Sequence, residues 1–98
     1  MANMFDLTGF QRELLYCIAG LDEPYGLGIK SELEAYGNTE INHGRLYPNL
    51  DTLIDKGYLT KRSLDDRTNE YELTEEGRRL LAERREWEAE KLPETLAN

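Results

Sequence analysis

The chain has 98 residues, enough for one small domain and too few for a separate catalytic or sensor domain. Hydrophobic residues make up 39% and charged residues 33%, which is the composition of a globular protein rather than of a disordered one. The longest uninterrupted apolar run covers only residues 14–19, and the N-terminus lacks the cationic start and apolar core of a signal peptide. We therefore expect a cytoplasmic protein without a membrane span.

Cysteine and histidine are too scarce for the commonest catalytic and metal sites. Cys17 is the only cysteine and His43 the only histidine, so these residues build neither an internal disulfide nor a structural zinc site. No phosphate-binding glycine motif occurs, and no nucleophile is placed convincingly for the single imidazole. We therefore expect no enzyme, no metal and no cofactor, and we interpret Cys17 as a small core residue.

The net charge of −8 at first argues against nucleic acid as a partner. The charge is unevenly distributed, however, because residues 41–67 carry a net +1 while the rest of the chain carries −9. The middle of the chain therefore does not share the negative charge of both flanks, and it remains a candidate for binding DNA.

Two helices are predicted at the start of the chain. Thr8 opens the first with Gln11 three residues later, the spacing of a capping box, and residues 22–24 (Asp-Glu-Pro) end it. The second is predicted from Gly26 to Tyr36, with Tyr36 turned inward, and residues 37–38 (Gly-Asn) end it.

A third helix follows, capped by Asn42 and ended by Gly57 in a left-handed conformation. Pro48 lies inside this pattern and is expected either to kink the helix or to delay its start. The predicted inward positions of the three helices are Phe10, Leu14, Cys17, Ile18, Leu21, Ile29, Leu33, Tyr36, Leu46, Leu50, Leu53 and Ile54.

The periodicity then changes to that of a β-hairpin. Residues 58–63 and 69–74 read as two strands around a polar turn at 64–68. Thr74 is expected to cap a long last helix, which is predicted over residues 75–92 and is ended by Pro93.

This order of elements predicts a winged helix-turn-helix, an α+β fold that is mostly α. We expect residues 1–98 to form a single domain. Within it, residues 8–74 form the core of three helices and a β-hairpin wing, and residues 75–92 form a C-terminal dimerisation helix.

Four stretches resemble a known family: YGLGIK at 25–30, GRLYPNL at 44–50, GYL at 57–59 and YELTEEG at 71–77. Together they resemble the PadR-like family of winged-helix transcriptional regulators over roughly residues 8–90. The resemblance implies a homodimer that binds operator DNA, usually as a repressor, and that dimerises through its last helix. Family wings commonly carry more basic residues, whereas here Asp65 and Asp66 lie at the wing tip.

The first half of the third helix is the predicted reading surface, because the N-terminal turn of a helix in the major groove usually touches the base edges. The candidate DNA contacts there are Asn42, His43, Gly44, Arg45, Tyr47 and Asn49. Arg45 offers the bidentate fork that suits guanine, and Gly44 lets the backbone approach a phosphate. The alternatives are a solvated Arg45 and a half-buried Tyr47. We interpret His43 as a neutral hydrogen-bond donor rather than a pH sensor.

The remaining candidate DNA contacts are the basic residues Lys30 on the second helix and Lys61, Arg62 and Arg67 on the hairpin. The alternative for the hairpin group is that they are ordinary surface charges paired with Asp65 or Asp66. Asp51 and Asp55 face outward in the second half of the third helix, so DNA is expected to meet only its first half.

The last helix carries a narrow apolar stripe and a tryptophan, which indicates a partner surface. The candidate dimer-interface residues are Phe10, Leu80, Leu81, Arg84, Trp87 and Leu92. The alternative is that this helix packs back on the first helix of its own chain. A two-fold dimer would set two recognition helices one DNA turn apart, ~34–36 Å.

We predict a homodimeric, sequence-specific transcriptional regulator that recognises an inverted repeat and acts as a repressor. The alternative is a winged-helix protein–protein interaction module without DNA binding, which the net charge would permit. A small-molecule effector is compatible with either, but the sequence identifies none. The excess of acidic residues suggests a further hypothesis, that the protein is adapted to high intracellular salt, as in a halophile.

Overall fold

The computed structural model describes residues 3–97. The elements in chain order are a 3-10 turn (Met4–Asp6), α1 (Gly9–Gly20), α2 (Gly26–Gly37), α3 (His43–Asp55), β1 (Leu59–Ser63), β2 (Asn69–Leu73), α4 (Glu75–Lys91) and α5 (Glu94–Ala97). This order confirms the predicted winged helix-turn-helix, with three helices, a hairpin wing and a long C-terminal helix. The 3-10 turn and α5 were not predicted.

Side chains cap the helices where the sequence predicts them. Thr8 accepts a hydrogen bond from the N–H of Gln11 at 3.2 Å, and the Gln11 side chain accepts one from the N–H of Thr8 at 3.1 Å. Asn42 accepts an N–H from the first turn of α3 at 2.8 Å, and Thr74 accepts the N–H of Gly77 at 3.0 Å. These bonds satisfy backbone donors that a helix start leaves unpaired, so they fix where α1, α3 and α4 begin.

One residue of α2 differs from expectation, and the structure excludes one of the two outcomes expected for Pro48 in α3. Tyr36 is 79% exposed rather than turned inward, because residues 35–40 at the end of α2 all lie outside the core. Pro48 does not delay α3, which begins at His43 and continues through it. The proline removes one N–H from the helix, and its position on the exposed side keeps its ring out of the core.

The wing is a two-stranded antiparallel hairpin whose register runs from Leu59 opposite Leu73 to Ser63 opposite Asn69. Its second strand also pairs with the segment before α2, where the N–H of Tyr71 donates to the carbonyl of Pro24 at 3.0 Å. This pairing attaches the wing to the helical core beside the start of α2.

The core lies between α1, α2, α3 and the base of the wing. Its buried hydrophobic residues are Met4, Leu7, Leu14, Leu15, Cys17, Ile18, Ile29, Leu33, Ile41, Leu46, Leu50, Leu53, Tyr58, Leu59, Tyr71 and Leu80. Burial raises the pKa of the Cys17 thiol to about 11, which keeps it protonated, as expected of a core residue.

Helix α4 is only shallowly embedded, since Gly77 and Leu80 are its only buried residues among those the structure describes. The rest of its length is exposed or half-buried and carries mostly charged side chains. Within residues 3–97, no helix combines the length and the apolar character needed to cross a membrane.

Candidate nucleic-acid interface

The first turn of α3 is presented to solvent on a firmly packed helix. His43, Gly44 and Arg45 are exposed. The opposite face carries Leu46 and Leu50, which are fully buried. Burial of that face fixes the direction in which the exposed turn points, as a recognition helix requires.

Arg45 does not extend freely into solvent. Its guanidinium carbon lies 4.0 Å from the ring centroid of Phe10, at the start of α1. This distance is well within the range of a cation–π contact. Phe10, which is also a candidate for the dimer interface, is half-buried and contacts the predicted reading helix.

Asn49 is bonded within the protein through both ends of its amide. Its nitrogen donates to the carbonyl of Arg45 at 2.8 Å, and its oxygen accepts the side-chain N–H of Gln11 at 3.0 Å. Gln11 is itself only 8% exposed and also closes the capping box of α1. Asn49, a predicted DNA contact, therefore ties α3 to α1 in this structure.

Tyr47 lies at the side of α3, where it reaches the start of α2. Its ring meets that of His43 edge-on, with centroids 5.5 Å apart, and its hydroxyl rests against Gly26. A Cβ at Gly26 would come within 2.6 Å of that hydroxyl, so a larger residue there would require the Tyr47 side chain to shift. Tyr47 also borders a groove of about 270 Å³ between the first turn of α2 and residues 67–69 of the wing.

Three of the other basic candidates are held in ion pairs, and the partners of the two on the wing are not the Asp65 or Asp66 considered from the sequence. Lys30 pairs with Glu34 at 2.8 Å, Arg62 with Glu70 at 2.9 Å and Lys61 with Asp51 at 4.0 Å. The Lys61–Asp51 pair is exposed at both ends, and such a pair contributes only about 0–1 kcal/mol, so a phosphate can replace that carboxylate at little cost. In the other two pairs the carboxylates of Glu34 and Glu70 are partly buried. Arg67 is exposed and forms no ion pair within residues 3–97.

Glu34 connects α2 to the segment that leads into α3. Its carboxylate accepts hydrogen bonds at 2.8 Å from the Lys30 ammonium and from the N–H of Ile41. The Lys30 bond, followed by the Ile41 bond, lowers the pKa of Glu34 below its ordinary value. Because these bonds stabilise the ionised form, the helix-turn-helix angle is supported by a charged Glu34 at neutral pH.

Asp65 shapes the tip of the wing. One of its carboxylate oxygens accepts the N–H groups of Arg67 and Thr68, both at 2.8 Å. These bonds, that from Arg67 above all, lower the pKa of Asp65. The carboxylate of Asp65 therefore stabilises the turn at the tip of the wing, a role that the sequence alone does not indicate.

A second surface lies on the amino-terminal turn and α4. It is a groove of about 520 Å³ lined by Asn3, Met4, Phe5, Arg12, Leu80, Glu83, Arg84 and Trp87. Phe5 is 85% exposed and Trp87 is 48% exposed, an unusual amount of aromatic surface for two neighbouring side chains. The Arg84 guanidinium lies 4.5 Å from the Trp87 ring centroid.

The other predicted interface residues divide between core and surface. Leu80 is 5% exposed and Leu81 packs against the core of its own chain, which is the alternative foreseen for part of this helix. Leu92 is 53% exposed. Phe5 was missed by the sequence analysis, because its three-residue turn shows no hydrophobic periodicity.

A packed three-helix core, a two-stranded wing and an outward first turn of the third helix define a winged helix-turn-helix protein of the DNA-binding class. The model of the transcriptional regulator PadR-like family matches residues 14–83. The chain therefore belongs to the PadR-like family, which confirms the resemblance seen in its motifs. It is accordingly a DNA-binding regulator of transcription rather than a member of an enzyme family.

Solved structures of RosR are similar over nearly the whole chain. A complex structure of RosR-S1 is 50% identical, with 89% of this chain and 77% of that chain covered and a TM-score of 0.85. RosR of H. salinarum, from crystals grown from NaBr, is 51% identical, with 88% and 77% covered and a TM-score of 0.84. A complex structure of RosR-SG is 49% identical, with 91% and 79% covered and a TM-score of 0.86. No curated protein matches the chain significantly.

Proposed function

We propose that the protein is a cytoplasmic repressor that binds an inverted-repeat operator as a homodimer. The observation that carries this proposal is the first turn of α3. It is exposed, it includes an arginine without a carboxylate partner in the described chain, and it is backed by the fully buried Leu46 and Leu50.

In this proposal Arg45 reads a base and its neighbours hold the phosphate backbone. The guanidinium of Arg45 bonds guanine in the major groove, a contact worth about 1–3 kcal/mol of discrimination. Gly44 admits a phosphate close to the backbone, while His43 and Tyr47 donate to phosphates on either side. Asn42 keeps the turn in place through its cap.

The wing and α2 supply contacts that do not depend on sequence. Lys61, Arg62 and Arg67 grip the backbone or the minor groove from the wing, and Lys30 adds a phosphate contact from α2. Three of these four exchange an intramolecular carboxylate for a phosphate on binding. The exchange is favourable because each phosphate contact also releases counterions from DNA.

Homodimerisation is proposed through α4 and the amino-terminal turn. Trp87, Leu92 and Phe5 leave apolar surface exposed that a second copy would cover. A two-fold axis there would set two α3 helices on half-sites ~34–36 Å apart.

The direct test is fluorescence anisotropy with labelled promoter DNA, an unlabelled scrambled competitor and a series of KCl concentrations. Arg45→Ala should weaken operator binding by about 1–3 kcal/mol and leave binding to scrambled DNA unchanged. Arg79→Ala is the matched control, because it removes the same charge from the exposed start of α4. Equal losses of operator affinity in both variants would contradict a reading role for Arg45. Increased expression of a reporter gene under operator control in the presence of Arg45→Ala would establish repression.

The competing proposal is an interaction module without DNA binding. The net charge of −8 favours it at low salt, where the acidic flanks repel a duplex. At molar KCl the Debye length falls to ~3 Å, and only close contacts still count. If the folded protein fails to bind DNA at every salt concentration, the interaction module replaces the repressor. Specific binding that survives molar KCl would also support adaptation to high salt.

A further inference from the structure

We infer that Phe10 is a specificity-determining positioning residue, which holds the Arg45 side chain in place for base recognition with the help of Gln11 and Asn49. This inference rests on the proposed DNA reading by α3. It gives the start of α1 a part in recognition, although α1 itself is not placed in the groove.

The first observation is the kind of contact that Arg45 makes. Its guanidinium lies 4.0 Å from the Phe10 ring centroid and forms no ion pair within residues 3–97. A carboxylate partner would occupy the N–H groups that a guanine needs, as Glu70 does for Arg62. An aromatic ring has no acceptor oxygen, so it restrains the arginine and leaves its hydrogen-bonding edge available.

The second observation is that the backbone of Arg45 is restrained from the same side. Asn49 donates to the Arg45 carbonyl at 2.8 Å and accepts from Gln11 at 3.0 Å. Gln11 is buried and fixed by the capping box of α1. The first turn of α1 thus restrains both the side chain and the carbonyl group of Arg45.

The consequence is preorganisation. A free arginine has many rotamers, and ordering it on binding costs affinity for the correct base. A side chain already restrained beside Phe10 avoids part of that cost. The benefit appears only where Arg45 meets its own base, so the quantity affected is the ratio of operator to scrambled binding.

The test compares this ratio among variants of the full chain, all checked for folding by thermal unfolding. Phe10→Leu keeps an apolar side chain and removes the ring, and it should lower the ratio by about two- to fivefold, the range of an exposed cation–π contact. Phe10→Tyr keeps the ring and should retain the wild-type ratio. Tyr36→Leu is the matched control, since it removes an exposed ring from the end of α2 and should change nothing.

A double-mutant cycle distinguishes positioning from a structural role. In the Arg45→Ala background, Phe10→Leu should have no further effect on the ratio, because the side chain that it positions is gone. An effect of the same size in both backgrounds would overturn the inference and leave Phe10 as a packing residue. So would an unchanged ratio in Phe10→Leu alone.

Asn49→Ala provides a second route should Phe10→Leu fail to fold. It removes the bond to the Arg45 carbonyl from a half-buried site and should also lower the ratio. An unchanged ratio would overturn the inference while leaving the proposed function intact. Absence of operator-specific binding by the wild-type protein would instead overturn the proposed function, and the inference with it.

Discussion

Gly77 determines how closely α4 approaches the turn between α3 and the wing. It is buried, and a Cβ at this position would collide with the carbonyl oxygen of Tyr58. That oxygen belongs to the backbone and also accepts the N–H of Thr74 at 3.0 Å, so it has little freedom to move. The absence of a side chain at Gly77 therefore allows the start of α4 to lie directly against this turn.

We expect Gly77→Ala to lower the free energy of unfolding by about 1–3 kcal/mol, as overpacking of a buried site usually does. Chemical denaturation measures this change. Gly9→Ala is the control, because it adds the same methyl group to the first turn of α1, where no atom outside the adjoining residues and the backbone of α1 lies within 4 Å. A Gly77→Ala protein as stable as wild type would show that α4 is free to shift.

Residue identity predicted much of the candidate site, but not the contacts between elements. The exposure of Arg45 on α3 follows from helical periodicity, which sequence displays directly. Its contact with Phe10 joins residues on two different helices, and no local pattern reports such a pair. The same holds for Asn49 and Gln11, whose bond depends on how α1 and α3 cross. Tyr36 was misplaced because periodicity continues past the point where α2 leaves the core.

At the scale of the element, the wing depends on one ionised carboxylate. Asp65 accepts two backbone N–H groups at the tip, and these bonds lower its pKa below the ordinary 3.8. A depressed folded-state pKa means that the stabilisation is complete above 3.8 and is lost as the pH falls through the lower value. The wing turn should therefore loosen in acid and stay formed at neutral pH.

Hydrogen exchange of the Arg67 and Thr68 amides tests this expectation across an acid titration. Protection of both amides, corrected for intrinsic exchange, should decrease as Asp65 is protonated. In Asp65→Asn the amide oxygen accepts the same bonds without a charge, so protection should no longer depend on pH. If the protection of these amides still depends on pH in Asp65→Asn, the effect belongs to another titrating group.

The long helices and their caps were predicted better than the short turn that precedes them. Capping signals at Thr8, Asn42 and Thr74 are local, and each of the three caps is present in the structure. The amino-terminal 3-10 turn was missed, although Asn3 and Asp6 form a capping box of their own. A three-residue turn is too short to show periodicity, so its capping spacing was the only available signal.

At the scale of the whole molecule, α4 and the amino-terminal turn together present exposed aromatic side chains to solvent. Phe5 and Trp87 border the same groove and remain 85% and 48% exposed. Leu92, which follows the end of α4, is 53% exposed. Leu80 beneath the groove is buried in its own chain, so truncating the exposed residues should leave the fold intact.

We expect Trp87→Ala to weaken the proposed dimer by about 2 kcal/mol or more, roughly a 30-fold rise in Kd, because buried tryptophans dominate interfaces. Sedimentation equilibrium at several protein concentrations measures the shift from dimer to monomer. Tyr36→Ala is the control, since it removes an even more exposed aromatic side chain from α2 and should leave the equilibrium unchanged. Operator binding should fall with the dimer, because two linked recognition helices bind far more tightly than one. A dimer unaffected by Trp87→Ala would place the interface elsewhere, and a monomeric wild-type protein would contradict two-fold recognition altogether.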